Sequence, residues 1–456
     1  MSARGIAPPL APADLLERAA RALDDAPDKP LLLSLPASGI DPIALLAPGD
    51  DAFLFIDRDG HVLVGRGSVF GIGGDGPGRF AEVRDRTRAL RSILHVAAID
   101  DVDPPPARFI AGGAFEPHDP RSRDWRDFAD LWSSIPRFAW IDDPARGPRL
   151  QIAFSEGAHP MIRKRTLDSL ESLLASPAPG SAHTPALRGN VAADDDRERF
   201  RRLVEGALVA IERGPATKIV TARSARLAAD GEVDTRALAA ALLRADGTYR
   251  YLARIGDTTF AGASPERLVE KQGGVVRTEA VAGTAPAEHE DAPLDEREKD
   301  RREHLAVVLA IEEALAPLAL ALDHPDEPVV RKHGRIAHLV TPFEGRVAHE
   351  THVLDLADAL HPTPAVAGTP RDVALDFIAR HEELRRGWYA GPIGWFDLDG
   401  DGELAVALRC VRIEGSAVDV YAGAGIVAGS NPGAEFDETV LKMRSTLGSL
   451  GFELTA

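Results

Sequence analysis

Residues 262–284 read GASPERLVEKQGGVVRTEAVAGT. Gly262, Ser264 and Pro265 make a tight turn that carries Glu266, and Val275, Val276, Arg277 and Thr278 follow as a short alternating strand. A second small-residue turn is expected to end at Gly283 and Thr284. A carboxylate and a backbone-exposing loop then flank one strand, which is an active-site layout. Upstream, TYRYLARIGDTTFAGASPE reads as a hairpin that turns at Gly256-Asp257 and delivers Glu266. A Ser-Pro-Glu turn by itself is common, so its meaning depends on the stretches around it.

Those stretches follow a definite order. ATKIVTAR with Lys218 lies upstream. Downstream come EKDRREH with Glu303, HPTPAVAG around Ala365, RRGWYAGPIGWFD around Tyr389 and AVALRCV with Arg409. Last is YAGAGIVAGSNPGAEFDETVLK with Glu435, Glu438 and Lys442. In this order the set resembles the chorismate-utilising enzymes, namely the isochorismate, salicylate, anthranilate and aminodeoxychorismate synthases, over roughly residues 195 to 455.

The resemblance implies an α/β fold of the α+β type, a layered sandwich whose large antiparallel sheets enclose the active site with helices outside. Between Ser176 and Asp196 the chain is rich in Pro, Ala, Ser and Gly. That seam separates a variable N-terminal half, residues 1–190, from the motif-bearing half, residues 195–456. The resemblance implies that both halves belong to one structural domain.

Local patterning fills in the elements. Residues 11 to 28 read as a surface helix, and LLLSLP and DAFLFIDRDGHVLVGRGSVFGIG as strands with a DG turn. Gly112 and Gly113 mark a bulge or a close backbone approach. A helix from Arg197 spaces Phe200, Val204, Ala207, Leu208 and Ile211 on one face and ends at Gly214-Pro215, ahead of a strand from Lys218 to Ala222. The run LAVVLAIEEALAPLALAL from Leu305 reads as a buried amphipathic helix, because Glu312, Glu313 and Pro317 interrupt it too often for a membrane span. LAVALRCVRIEG and AVDVYAGAGIVAG form a second hairpin, closed by a helix from Pro432.

Composition narrows the partners. Against 53 Lys and Arg stand 71 Asp and Glu, a formal net charge of −18, so no counterion release would drive binding to a nucleic-acid backbone. An acidic protein can still bind an acidic metabolite if its site concentrates a metal and a few cations. The lone Cys410 excludes an intramolecular disulfide and a cysteine metal cluster, and fits a reducing, cytoplasmic setting. The first 28 residues hold no sustained apolar run, so neither a secretory leader nor a membrane anchor is expected. The family resemblance implies a monomer.

Asp300 with Glu303, and Glu435 with Glu438, each place two acids three residues apart, on one face of a helix. One such pair is usually a solvated acidic face, whereas two converging pairs suit Mg²⁺, a hard cation that takes one or two carboxylates and leaves positions for water and substrate. The resemblance assigns the direct Mg²⁺ ligands to Glu303 and Glu438, with Asp300 and Glu435 behind them. It assigns the enolpyruvyl carboxylate of chorismate to Arg409, with Tyr389 nearby and a glycine turn, Gly423-Ala424-Gly425, presenting N–H groups. Gly283 and Thr284 match positions that touch substrate, Ala365 matches the wall beside the ring, and Lys442 matches a lysine beside the metal.

Lys218 and Glu266 are the implied base and acid. Isochorismate formation adds water at ring C2 while the C4 hydroxyl leaves, so one side needs a proton acceptor and the other a donor. Lys218 must therefore be held neutral, and the Glu266 carboxyl must be raised toward neutral pH. Ammonia-adding members usually carry glutamine where this chain has Lys218, and aminodeoxychorismate synthases tend to carry a lysine in the turn that here holds Ala282. Water is thus the expected nucleophile. The leading reading is a Mg²⁺-dependent isochorismate synthase. The alternatives are a salicylate synthase, an anthranilate or aminodeoxychorismate synthase component, and an inactive chorismate-binding protein. The expected product, isochorismate, would serve menaquinone, a siderophore or another product.

Overall fold

The computed structural model describes residues 12–24, 29–37, 39–100, 102–117, 124–155, 159–174, 183–286, 298–333 and 336–455. Nine α-helices and twenty-two strands are seen among them. The helix read over residues 11 to 28 spans Pro12–Asp24 within this set.

The sheet divides at Leu131–Ile141, a strand of aromatic and β-branched residues buried along most of its length. One edge pairs with Val62–Gly74 from end to end. The other edge is shared: its first residues pair with Arg108–Gly113, and its last with Arg149–Phe154. Two series of strands run out from this division. The first passes from Val62–Gly74 through Ala52–Ile56, Tyr249–Ile255, Thr258–Ser264, Cys410–Glu414 and Ala417–Val427 to Lys218–Ala229. The second passes from Arg108–Gly113 through Pro392–Asp397, Gly402–Val406, Arg267–Gln272 and Val275–Pro286 to Ile336–Val347. All of these pairings are antiparallel.

Two consequences follow for the site. The chain crosses from the first series to the second between Ser264 and Arg267, so Glu266 sits at the crossover. Strands of the N-terminal half also lie inside both series, with Ile56 opposite Arg250 and Gly112 opposite Ile393. One hydrophobic core runs through both halves, including Phe53, Phe109, Phe260 and Trp388. The helix Pro432–Ser449 is built for its place. Asn431 caps it by accepting from Gly433 N and Ala434 N, Pro432 begins it, and Phe436, Val440, Met443 and Leu447 form its buried stripe.

The structure departs from the sequence reading in several elements. The strand from Val275 does not stop at a turn but continues to Pro286, because Ile336–Val347 offers a partner along its whole length. Gly283 is absorbed as a bulge between Ala282 and Thr284. The strand from Lys218 likewise runs on to Ala229. The apolar run from Leu305 ends its helix at Leu315, two residues before Pro317, and Ala319–Asp323 is a strand. Gly423-Ala424-Gly425 lies within the strand Ala417–Val427 and forms no turn. No helix among the described residues is long and apolar enough to cross a membrane.

Gly112 fits the expectation of a close approach: a Cβ there would stand 2.0 Å from the ring of the fully buried Trp388. Gly112→Ala should therefore lower stability by roughly 1–3 kcal/mol through overpacking. The denaturant midpoint measures this, and an unchanged midpoint would show that the indole moves aside without cost.

Candidate active site

Lys218, Glu266, Ala365, Tyr389, Arg409, Gly423, Gly425, Glu438 and Lys442 all line one cavity of about 290 Å³. These positions span more than two hundred residues of chain, and strands of the first series, the crossover turn, the loops holding Ala365 and Tyr389 and the helix Pro432–Ser449 bring them together. Val281 and Ala282, next to Gly283 and Thr284 in the chain, line it as well. Glu303 lies on the helix Glu298–Leu315. The side chains of Thr284, Asp300 and Glu303 lie outside the described residues.

Glu266 is buried at the crossover, and its turn is tied by Glu266 N donating to Ser264 Oγ at 3.2 Å. Burial pushes its carboxyl up to about 7, and the charge of Glu279 adds to this. The Thr363 hydroxyl, which donates to Oε1 at 3.3 Å, Lys218 and Arg58 pull in the opposite direction. Near neutral pH such a carboxyl can hold a proton and release it. Lys218 opens its strand and is 7% exposed. Gly368, at φ +135°, packs on it so closely that a Cβ would stand 2.3 Å from the Lys218 carbonyl oxygen.

Arg409 was expected within a continuous strand, yet it sits in a break between Gly402–Val406 and Cys410–Glu414 with φ +52°. A left-handed arginine costs about 1–3 kcal/mol and persists only where its surroundings impose it. Here Ala263 N donates to the Arg409 carbonyl at 3.1 Å, and the Tyr251 hydroxyl to the Leu408 carbonyl at 2.7 Å. The guanidinium is held below the ordinary arginine range by burial, with Tyr389 and Glu438 opposing. Tyr389 stacks on Tyr421 with centroids 5.3 Å apart.

On the helix, Lys442 Nζ lies 2.6 Å from Glu438 Oε1 and donates to the Gly423 carbonyl at 2.9 Å. Burial would raise the Glu438 carboxyl, but Lys442, Arg409 and His338 outweigh it and hold the group below the usual carboxylate range. Glu438 is thus an ionised oxygen donor, and Glu435, three residues earlier, lines the same cavity. Oxygen donors with positions left for other ligands fit a hard cation such as Mg²⁺. The Gly423 carbonyl and Val427 N, which donates to Ser430 Oγ, both point away from the Lys218 strand. By alternation the N–H groups of Gly423 and Gly425 face that same outer edge. They are offered from a strand edge, where no turn was needed.

Sequence reasoning missed His338 and Tyr421, which line the cavity, and Thr363, which bonds Glu266. It also missed the buried pair Arg386–Glu382. Arg386 donates to both Glu382 oxygens at 2.7 Å and to the carbonyls of Val366 and Val220 at 2.8 Å. Thr363 and Arg386 do fall inside the HPTPAVAG and RRGWYAGPIGWFD stretches. His338 and Glu382 carry no local signal.

A family described as "Chorismate binding enzyme" matches residues 17–451. The chain is 34% identical over 446 residues to the salicylate biosynthesis isochorismate synthase of Pseudomonas aeruginosa, covering 93% of this chain and 92% of that protein. It is 32% identical over 356 residues to isochorismate synthase MenF of Bacillus subtilis, covering 75% and 74%. Among solved structures, MenF, the menaquinone-specific isochorismate synthase of Escherichia coli, superposes with a TM-score of 0.77 at 27% identity, covering 96% of this chain and 99% of that one.

The raised Glu266 carboxyl carries a stability consequence. Its folded value of about 7 lies above the ordinary 4.5, so the folded state resists ionisation. Stability contributed by the protonated form is complete below about pH 4.5 and is lost as pH rises through about 7. Glu266→Gln has no such loss. It should match the parent in acid and exceed it above neutrality, by about 1.4 kcal/mol for each pKa unit of the shift. Parallel stability curves for the two proteins across this range would contradict the raised carboxyl.

Proposed function

This chain belongs to the chorismate binding enzymes, and from that premise we propose that it is an isochorismate synthase. The observation that carries the reading is a single cavity in which Lys218 and a Glu266 carboxyl raised to about 7 share the walls with Arg409 and Glu438.

In this reading Lys218 Nζ takes a proton from water, and the water oxygen bonds to ring C2. The ring double bonds shift, and the C4–oxygen bond breaks as Glu266 gives its proton to the departing hydroxyl, which leaves as water. One water enters and one leaves, so the reaction is an isomerisation. Arg409 pairs with the enolpyruvyl carboxylate, and Gly423 and Gly425 offer N–H groups to it. Glu303 and Glu438 would hold Mg²⁺, which when bound supplies fixed positive charge to the ring carboxylate. Lys442 orients Glu438, and Gly283 and Thr284 complete the substrate contacts. Ala365 forms the wall beside the ring. The protein is read as a monomer acting on a small molecule.

A salicylate synthase must also hold the enolpyruvyl arm so that its methylene carbon takes the C2 hydrogen. Its relatives tend to place threonine where this chain has Ala365, whose methyl group donates no hydrogen bond. Purified protein given chorismate and Mg²⁺ should therefore form isochorismate without appreciable salicylate, and a chelator should stop turnover. Chromatography with salicylate fluorescence follows both products. Salicylate and pyruvate appearing as fast as chorismate disappears would favour the rival reading.

Lys218→Ala should reduce turnover by about 10²- to 10⁴-fold, the usual contribution of one general base. Chorismate affinity measured by titration should survive, because Lys218 touches neither carboxylate in this reading. Binding lost together with rate would make Lys218 an anchor, and an unchanged rate would end its role as base.

A further inference from the structure

Arg58 stands in the turn between Ala52–Ile56 and Val62–Gly74, far in sequence from every motif above. Its guanidinium nevertheless reaches the base of the Glu266 turn, where Nη2 donates to the Pro265 carbonyl. The same group binds Glu279 with both terminal nitrogens, Nη1 to Oε2 at 2.9 Å and Nη2 to Oε1. Glu279 is itself buried on the strand Val275–Pro286. It also accepts from Arg267 N at 3.1 Å and from Arg331 Nη1 at 2.9 Å. Arg58 lies over the Tyr249 ring, 4.8 Å from its centroid, and Tyr249 donates to Glu403 Oε1 at 2.6 Å. One guanidinium therefore joins the N-terminal half, the first strand series and the second at the point where the chain crosses.

We propose that Arg58 is a positioning residue for the reaction. It seats the Pro265–Glu266 turn through the Pro265 carbonyl and balances the Glu279 carboxylate that stands beside Glu266. The inference rests on the reading of Glu266 as proton donor. A two-pronged guanidinium suits this task because it bonds a carboxylate and a carbonyl from one rigid plane, which an ammonium cannot reproduce. The charges that act on Glu266 are Glu279 against it, and Lys218 and Arg58 in favour of its ionised form, with the Thr363 hydroxyl as the neutral partner. Arg58 and Glu279 thus influence Glu266 with opposite signs.

The test uses Arg58→Met, Arg58→Lys and Glu279→Gln in the full chain. Glutamate carboxyl carbons are labelled and titrated by NMR, with the Glu266 resonance assigned by its absence in Glu266→Gln. Arg58→Met should move the Glu266 titration to higher pH, Glu279→Gln should move it lower, and Arg58→Lys should fall between parent and Met. Turnover in Arg58→Met should drop about ten- to a hundredfold with KM changed less than about threefold, as for a misplaced catalytic group. Arg58→Lys should restore part of it. A Glu266 titration that stays put in Glu279→Gln overturns the proposal even if Arg58→Met does not fold. So does equal loss of turnover in Met and Lys without a shift. Opposite shifts of the titration with an unchanged pH–rate profile support the link from Arg58 to Glu266 and overturn the donor role instead.

Discussion

The side chains of Arg386 and Glu382 are each 2% exposed, and the walls of the cavity depend on their pairing. Glu382 accepts from Ala222 N at 3.0 Å, while Arg386 donates to the Val220 and Val366 carbonyls and lies over the Phe115 ring at 4.3 Å. The Lys218 strand, the Ala365 wall and the N-terminal half are thereby held to one buried charge pair. Breaking such a pair by removing one partner costs about 3–5 kcal/mol, because the other charge is left buried and alone. Replacing both by apolar groups often costs little. What this pair contributes is therefore better described as geometry than as net stability: it satisfies backbone groups on two segments and packs on the Phe115 ring of a third.

The same constraint seats the tyrosine. Tyr389 N donates to the Arg386 carbonyl at 3.0 Å, and between them Gly387, at φ +54°, brings its backbone against Trp125, where a Cβ would stand 2.0 Å from the ring. Trp388 then enters the core, donating to the Ala129 carbonyl at 2.9 Å, and Tyr389 faces the cavity. A chain of net charge −18 must gather its cations locally to hold an acidic ligand. Arg409 and Lys442 stand in one cavity, where partial burial leaves charge less screened than on the surface.

Much of the arrangement was legible beforehand, and the reasons are specific. The hairpin at Gly256-Asp257 and the helix from Pro432 carry strong local signals, a turn dipeptide in one case and Asn-Pro capping in the other. The helix predicted from Arg197 begins at Asp194 and buries Phe200, Val204 and Ala207 as its spacing requires. The misjudged places share a cause. Gly283 and the Gly423–Gly425 segment look like turns because glycine permits them, but each lies opposite a long partner strand whose hydrogen bonds favour extension. Arg409 looked like a strand residue because its neighbours are apolar, and its left-handed conformation is imposed by contacts from Ala263 and Tyr251 that local sequence does not reveal.

Residue type and order alone determined most of the elements and the acidic balance, since these depend on composition and on neighbours within a few positions, and the order of the motifs carried the family resemblance. Tertiary structure decided what each of those side chains experiences. Glu266 becomes a carboxyl poised near neutrality because it is buried beside Glu279, and Glu438 stays ionised because Lys442, Arg409 and His338 face it. The N-terminal half showed no motif, yet Arg58 and Phe115 reach the same crossover and clamp. Burial and electrostatic neighbours are set by contacts between residues hundreds of positions apart, and only the folded sheet fixes those distances.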